Sequence, residues 1–318
     1  MRKVKINFVT SKTRNKLILA FSVPIVLIVL LGIISYRIAS EGLITSYESA
    51  ALSATEGKAE LIDYNIKSLV QTGEILTKND TVIRYFSDFY KNNPNEQKSR
   101  WNEIISLVSK EILSQDAISN ILIFSKNGEH LSGNGVTIKG FNYDEFTGNE
   151  GAALQDSEAK GIWLGEHPYI DRITSSKKTD YAFSYVSHIK NVINEPIGCL
   201  VINVSAKYIQ ELIADVDLPA GSFAGFITSD GREFLAGDAV QDFVLSEQPF
   251  FRSGDEDITK SEYVNLAGRQ YLYTYVKNTE SGSIVCTFVP KSEILSKANE
   301  LKSITILLVI VTALIAIV

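Results

Sequence analysis

Residues 17–36, LILAFSVPIVLIVLLGIISY, run for twenty positions without a charge and pass directly into residues 37–76, RIASEGLITSYESAALSATEGKAELIDYNIKSLVQTGEIL. At ~1.5 Å per helical residue the first part spans the ~30 Å hydrocarbon core of a bilayer. In the second part Leu43, Tyr47, Ala50, Ala54, Lys58, Leu61, Ile62, Ile66, Leu69 and Leu76 recur at helical spacing with no intervening proline. The pattern predicts a membrane helix that continues outward as a stalk.

The charges around this stretch predict its orientation. Arg2, Lys3, Lys5, Lys12, Arg14 and Lys16 precede the apolar run, and no acid occurs before Glu41. Such a bias places the N-terminus in the cytoplasm of a cell with the following region outside the plasma membrane. A cleaved signal peptide shares the basic start, but its apolar core is shorter, about 7 to 15 residues, and no A-x-A-like site follows here. The chain carries a net charge of −6, and its first 38 residues hold seven positive charges, so the remainder sums to −13. An acidic outer region argues against nucleic acid as a partner. A second uncharged run, Ser303 to Val318, predicts the start of another span, cut short after sixteen residues. A C-terminal tail anchor is the alternative. Cys199 and Cys286 lie in apolar stretches and read as unpaired core thiols.

Beyond the stalk, helical patterns cover Asp80 to Tyr90 and Asn95 to Leu113. The second opens with Asn93 as N-cap, Pro94 at the first helical position and Glu96 three residues after the cap. Trp101, Ile105, Val108 and Ile112 mark its expected buried face. A β-rich region follows from about Ile118. There Ile121, Ile123 and Phe124 lead into Asn127-Gly128, a tight-hairpin signal. The unit returns 103 residues later as Phe226-Ile227-Thr228-Ser229 leading into Asp230-Gly231. Tyr181 to Val186 (YAFSYV) likewise returns as Tyr271 to Val276 (YLYTYV), each with three aromatics alternating on one expected strand face. Ile197 to Val204 and Ile284 to Val289 then each lead into a helix. Three features in one order predict an internal duplication of an α+β module.

This order resembles the double Cache sensor module of bacterial transmembrane receptors, most specifically over Trp163 to Ile209. Carrying the resemblance are Trp163, Pro168-Tyr169-Ile170-Asp171, Tyr181 to Val186 and Gly198 to Ser205. The segment Lys16 to Ala50 is similar to the start of methyl-accepting chemotaxis proteins. The resemblance implies an α+β fold with two tandem PAS-like antiparallel sheets. On that reading residues 1–16 are cytoplasmic and 17–38 form the first transmembrane helix. Residues 39–114 form the stalk and helical region, 115–216 a membrane-distal Cache subdomain and 217–295 a membrane-proximal one. Residues 296–318 hold the exit helix and a truncated second transmembrane helix.

The resemblance also implies a small-molecule ligand in the distal sheet, near Trp163, Tyr169, Asp171, Tyr181, Tyr185 and Asn203, and a homodimer packed through the stalks. Amino-acid-binding members hold the ligand carboxylate with an Arg-x-Trp-Tyr stretch and its amine with an Asp in the closing strand. No such stretch occurs between Leu131 and Trp163, and Asn203 stands where that Asp is expected. An amide hydrogen-bonds an ammonium group but forms no ion pair with it.

No cofactor or metal is implied. Pro168 is expected to spoil joint presentation of His167 and Asp171, His130 and His188 lie in other segments, and Asp255-Glu256-Asp257 lacks the alternation of a calcium loop. Catalytic signatures such as Gly-x-Ser-x-Gly or His-Glu-x-x-His are absent, and Gly133-Asn134-Gly135 reads as a turn rather than a phosphate loop. The function expected is sensing by a chemoreceptor, not enzymatic turnover. A histidine kinase or diguanylate cyclase sensor, or a passive membrane-anchored binder, are the alternatives.

Overall fold

The computed structural model describes residues 6–135, 138, 140–155, 160–215, 218–237, 244–251 and 258–317. Its first element, α1 (Ile6–Thr77), is one continuous helix of 72 residues with Pro24 inside it. The apolar stretch within Val26–Thr77 is long and apolar enough to cross a membrane. Its side chains Val26, Leu27, Leu31 and Ile38 stand exposed. Farther along, Ala51, Thr55, Ile62, Ile66, Leu69 and Leu76 form a buried stripe at helical spacing. Leu61, expected in that stripe, points away and is 42% exposed.

Two helices fold back beside the far end of α1: α2 (Asp80–Phe86) and α3 (Pro94–Ser114). Asn93 Oδ1 accepts the Glu96 amide at 3.3 Å, and its amide donates to the Glu96 carboxylate at 3.2 Å, so the cap forms as its residues dictate. The buried face of α3 is centred on Ile104 and Val108, not on Ile105, which is 39% exposed. Trp101 and Ile112 flank that face half-buried. Three of the four expected positions thus lie on the buried face, and Ile104 takes the place of Ile105 there because α3 must meet both α2 and the sheet.

Two five-stranded antiparallel sheets follow. The first contains β1 (Ile118–Ser125), β2 (His130–Ser132), β3 (Ile162–Leu164), β4 (Tyr181–Lys190) and β5 (Pro196–Ser205), in the order β2-β1-β5-β4-β3. Between β2 and β4 lie α4 (Tyr143–Gly148) and α5 (Pro168–Thr174), and after β5 comes α6 (Ala206–Ala214). The second contains β6 (Phe223–Ile227), β7 (Glu233–Gly237), β8 (Thr259–Leu266), β9 (Arg269–Lys277) and β10 (Ile284–Pro290), in the order β7-β6-β10-β9-β8. β10 runs into α7 (Lys291–Ile317), which returns alongside α1. The same strand order twice, each closing strand entering a helix, is the duplication in three dimensions. Asn127-Gly128 and Asp230-Gly231 occupy the same turn, and both glycines have positive φ, +86° and +90°.

One face of each sheet rests on α1. Ala51 packs with Leu272, Val289 and Ile294, and Thr55 Oγ1 meets Thr287 Oγ1 at 2.7 Å. Farther out, Ile62, Ile66 and Leu69 pack with Ile121, Ile123, Leu200 and Ile202 of the first sheet. Gly73 permits a close approach, because a Cβ there would meet the Tyr185 ring at 2.7 Å.

The two aromatic strands do not match position for position. In β9, Tyr271, Tyr273 and Tyr275 share the face turned from α1. In β4 the register with β5 shifts between Tyr181 and Ser184, with Tyr181 opposite Ser205 and Ser184 opposite Asn203. The extra residue is a β-bulge that exchanges the faces. Tyr181 therefore faces away from α1, whereas Phe183 and Tyr185 join the core against α1. The expected single aromatic face holds for β9 and fails for β4. Cys199 and Cys286 are buried and unbridged. The run Asp255-Glu256-Asp257 lies outside the described residues.

Candidate functional site

The bulge decides which side chains meet on the outer face of the first sheet. Ser184, Asn203 and Asn120 line up across β4, β5 and β1, since Asn203 is opposite both of the others. All three are buried. The corresponding line in the second sheet is Tyr273, Phe288 and Phe223, with Phe288 stacked on Phe223 at 4.4 Å and on Tyr273 at 4.8 Å between centroids. One copy thus fills this position with three aromatic rings, and the other lines it with hydrogen-bonding groups.

Short helix α5 covers the polar line. Pro168 sits at its first turn, where a missing N–H costs nothing, and His167 immediately precedes it. The imidazole is fully buried. Its Nε2 lies 3.0 Å from Ser184 Oγ and 3.2 Å from Asn203 Oδ1. Ser184 Oγ donates to Asn203 Oδ1 at 2.9 Å, so the ring nitrogen faces oxygen lone pairs and carries the hydrogen on this side. The ring stacks on Tyr181 at 4.1 Å between centroids and 10° between planes.

Asp171 closes the cluster from one turn along α5. The Tyr181 hydroxyl donates to Asp171 Oδ2 at 2.9 Å and accepts the His167 amide at 3.1 Å. Asp171 Oδ1 stands 3.0 Å from His167 Nδ1, out of hydrogen-bonding alignment, and both atoms are buried without another partner. Pro168 therefore does not separate His167 from Asp171, contrary to expectation: at the start of a helix it sets the backbone rather than breaking it. Burial pushes the Tyr181 hydroxyl well above its ordinary range.

Glu150 and Tyr169 adjoin the cluster. Glu150 Oε1 accepts the Tyr169 amide at 2.6 Å, while Oε2 is buried without a partner. Burial raises the Glu150 carboxyl above its ordinary value, and the neighbouring Asp171 carboxylate adds to the rise. Tyr169 packs into the outer core with Phe146, and its hydroxyl accepts the Asn142 amide at 2.6 Å.

Of the six residues expected to line a site, Asp171, Tyr181 and Asn203 come together, with Tyr169 beside them. Trp163 and Tyr185 form a cross-strand pair on the opposite face, their rings 5.0 Å apart. The Tyr185 hydroxyl donates to the Lys160 carbonyl at 3.1 Å. The structure adds His167, Ser184 and Glu150. The residue before a helix-opening proline was one available signal for His167. The bulge that turns Ser184 to the outer face has no signal in the sequence.

No family model and no curated protein matches this sequence. Solved structures do match in fold. The ligand-binding domain of the Pseudomonas fluorescens chemoreceptor CtaA, in complex with L-isoleucine, aligns with a TM-score of 0.54 at 14% identity, over 83% of this chain and 98% of that one. The sensory domain of the Campylobacter jejuni chemoreceptor Tlp3 aligns with a TM-score of 0.52 at 13% identity, over 81% and 99%. The extracellular domain of the putative histidine kinase rpHK1S-Z16 aligns with a TM-score of 0.52 at 12% identity, over 83% and 99%. The chain has the α+β fold of these sensor domains, two five-stranded antiparallel sheets on a long N-terminal helix, as the double Cache resemblance implies.

Proposed function

We propose that this chain is the sensing part of a bacterial membrane receptor, a chemoreceptor by first choice, and that it takes a small molecule on the outer face of the first sheet. The observation that carries the reading is the contrast between the two copies, polar at Asn120, Ser184 and Asn203 where the second holds Phe223, Tyr273 and Phe288. Buried polar groups cost stability unless they are paired, so a polar line in one copy alone points to recognition. Asp171, His167, Tyr181, Asn203 and Tyr169 are the ligand-facing residues in this reading. Trp163 and Tyr185 seat the sheet on α1. The unpartnered oxygens Glu150 Oε2 and Asp171 Oδ1 offer acceptors to a ligand rich in donors, such as one bearing a protonated amine.

The exposed apolar side chains of α1 and α7 support placement in a bilayer, with residues 115–216 distal to it and 217–295 proximal. Leu61, Tyr64 and Ile75, exposed along α1, support pairing of two copies through the stalks. Ligand binding then biases two packing states of those helices, and the signal leaves through α7. The likeness to a histidine-kinase sensor domain makes that output the second reading. A thermal-shift screen of the full chain in nanodiscs against amino acids and amines tests the site. A stabilising compound is expected to lose its effect in Asp171→Ala and Asn203→Leu. Equal stabilisation of wild type and both variants sinks the assignment.

A further inference from the structure

The first hairpin of the second sheet grips the first sheet beside His167. Asp230 Oδ2 accepts the amides of Gly165 at 3.0 Å and Glu166 at 3.2 Å, while its Oδ1 is held by the Thr228 hydroxyl. Arg232 Nη1 donates to the carbonyls of Gly165 at 3.0 Å and Ala182 at 3.1 Å, and Nη2 donates to the carbonyl of Lys178. Its Nε lies 3.9 Å from Glu166 Oε1. The guanidinium also lies over the Tyr181 ring at 5.2 Å and the Phe234 ring at 4.9 Å. A Cβ at 165 would overlap the Asp230 carboxylate, so any larger residue there displaces Asp230 from these amides. Residues 165, 166 and 182 border His167 and Tyr181 directly, so the contacts fix the backbone that aims both rings.

In the first copy the same turn also reaches upstream, with Asn127 Nδ2 donating to the Phe86 carbonyl at 3.4 Å and Glu129 accepting from Gln97 at 3.2 Å. Only the second copy presents an acid and an arginine together. A planar fork with five donors satisfies several carbonyls at once, which lysine does not.

We propose that Asp230 and Arg232 are positioning residues for the site of the first sheet, coupling docking of the second sheet's hairpin to the arrangement of His167 and Tyr181. The functional meaning of this rests on the proposed ligand site; the contact itself does not. Coupling is reciprocal, so a change at either end is read at the other. Hydrogen exchange on the full chain in lipid nanodiscs tests it without a ligand. Arg232→Met, and independently Gly165→Ala, are expected to speed exchange at 162–167 and 181–184 by about tenfold or more, as lost charge-assisted hydrogen bonds require. The control strands β1, β9 and β10 are expected to keep wild-type rates. The carbon resonance of the His167 ring is expected to move while those of His130 and His188 stay. Conversely, Asn203→Leu is expected to speed exchange at 228–234. Faster exchange spread evenly over the control strands, or wild-type rates at 228–234 in Asn203→Leu, overturns the proposal. Absence of any ligand in the thermal-shift screen would refute the site and leave these measurements intact.

Discussion

Replacing Asn203 with leucine separates a polar cluster kept for recognition from one kept for stability. Asn203 is 4% exposed, and its Oδ1 accepts Ser184 Oγ at 2.9 Å and sits 3.2 Å from His167 Nε2. Leucine has nearly the same size, so the packing volume is kept and the hydrogen bonds are lost. Two neutral buried bonds at about 0.5–1.5 kcal/mol each give a loss of roughly 1–3 kcal/mol. For a folded region of this size that lowers Tm by about 2–4 °C per kcal/mol. Ser184 and His167 remain 3.0 Å apart and partner each other, which keeps the cost toward the lower end. Removing the cluster altogether, in His167→Phe with Ser184→Ala and Asn203→Leu, leaves no orphan among these three and brings the line closer to Tyr273 and Phe288. The triple variant is expected to recover to within about 1 kcal/mol of wild type, because replacing both partners by apolar groups is nearly neutral. Tryptophan fluorescence during thermal unfolding reads both, through Trp101 and Trp163. A triple variant that falls by the sum of its single changes would refute the reasoning, since the cluster would then be a stabilising core element.

Three further outcomes follow from the geometry. Ile104→Ala is expected to cost about 2–5 kcal/mol and Ile105→Ala less than about 1, because only Ile104 is buried; thermal unfolding of the pair checks which of the two faces the core. Phe288→Ala removes the centre of the second sheet's aromatic stack and is expected to cost about 3–5 kcal/mol. Glu150 has a raised folded-state pKa, so its contribution to stability is fully present below the ordinary value of 4.5 and is lost as pH rises through the folded value. Glu150→Gln is expected to remove that loss, so wild type should weaken relative to the variant as pH is raised across this window. Parallel denaturation curves at each pH check it.

The order of elements was legible because it depends on local signals. The uncharged run, the Asn93-Pro94 start, and the turns at Asn127-Gly128 and Asp230-Gly231 each specify backbone geometry within a few residues. The duplication was legible because strand, turn and aromatic strand recur in order. What escaped depends on distant partners. The face of α3 is set by α2 and the sheet, so Ile104 rather than Ile105 is buried. The cluster at His167 needs α5 laid over β4 and β5, and Ser184 joins it only through the bulge. The resemblance groups Trp163 and Tyr185 with Asp171, but the two are cross-strand partners whose pleat turns them to the face against α1, opposite to Asp171.

The bulge in β4 also bears on how the two halves diverged. Pairing Tyr181 to Tyr185 with β5 without the bulge would set Phe183 opposite Asn203, next to Tyr181 and Tyr185 on a single side, which is the arrangement of Tyr271, Tyr273 and Tyr275. YAFSYV and YLYTYV have the same length, so a one-residue shift in pairing, with no residue gained or lost, separates the polar face from the aromatic-filled one while the strand order stays the same. After duplication, such a shift in register gives two copies that share a scaffold and need not share a task.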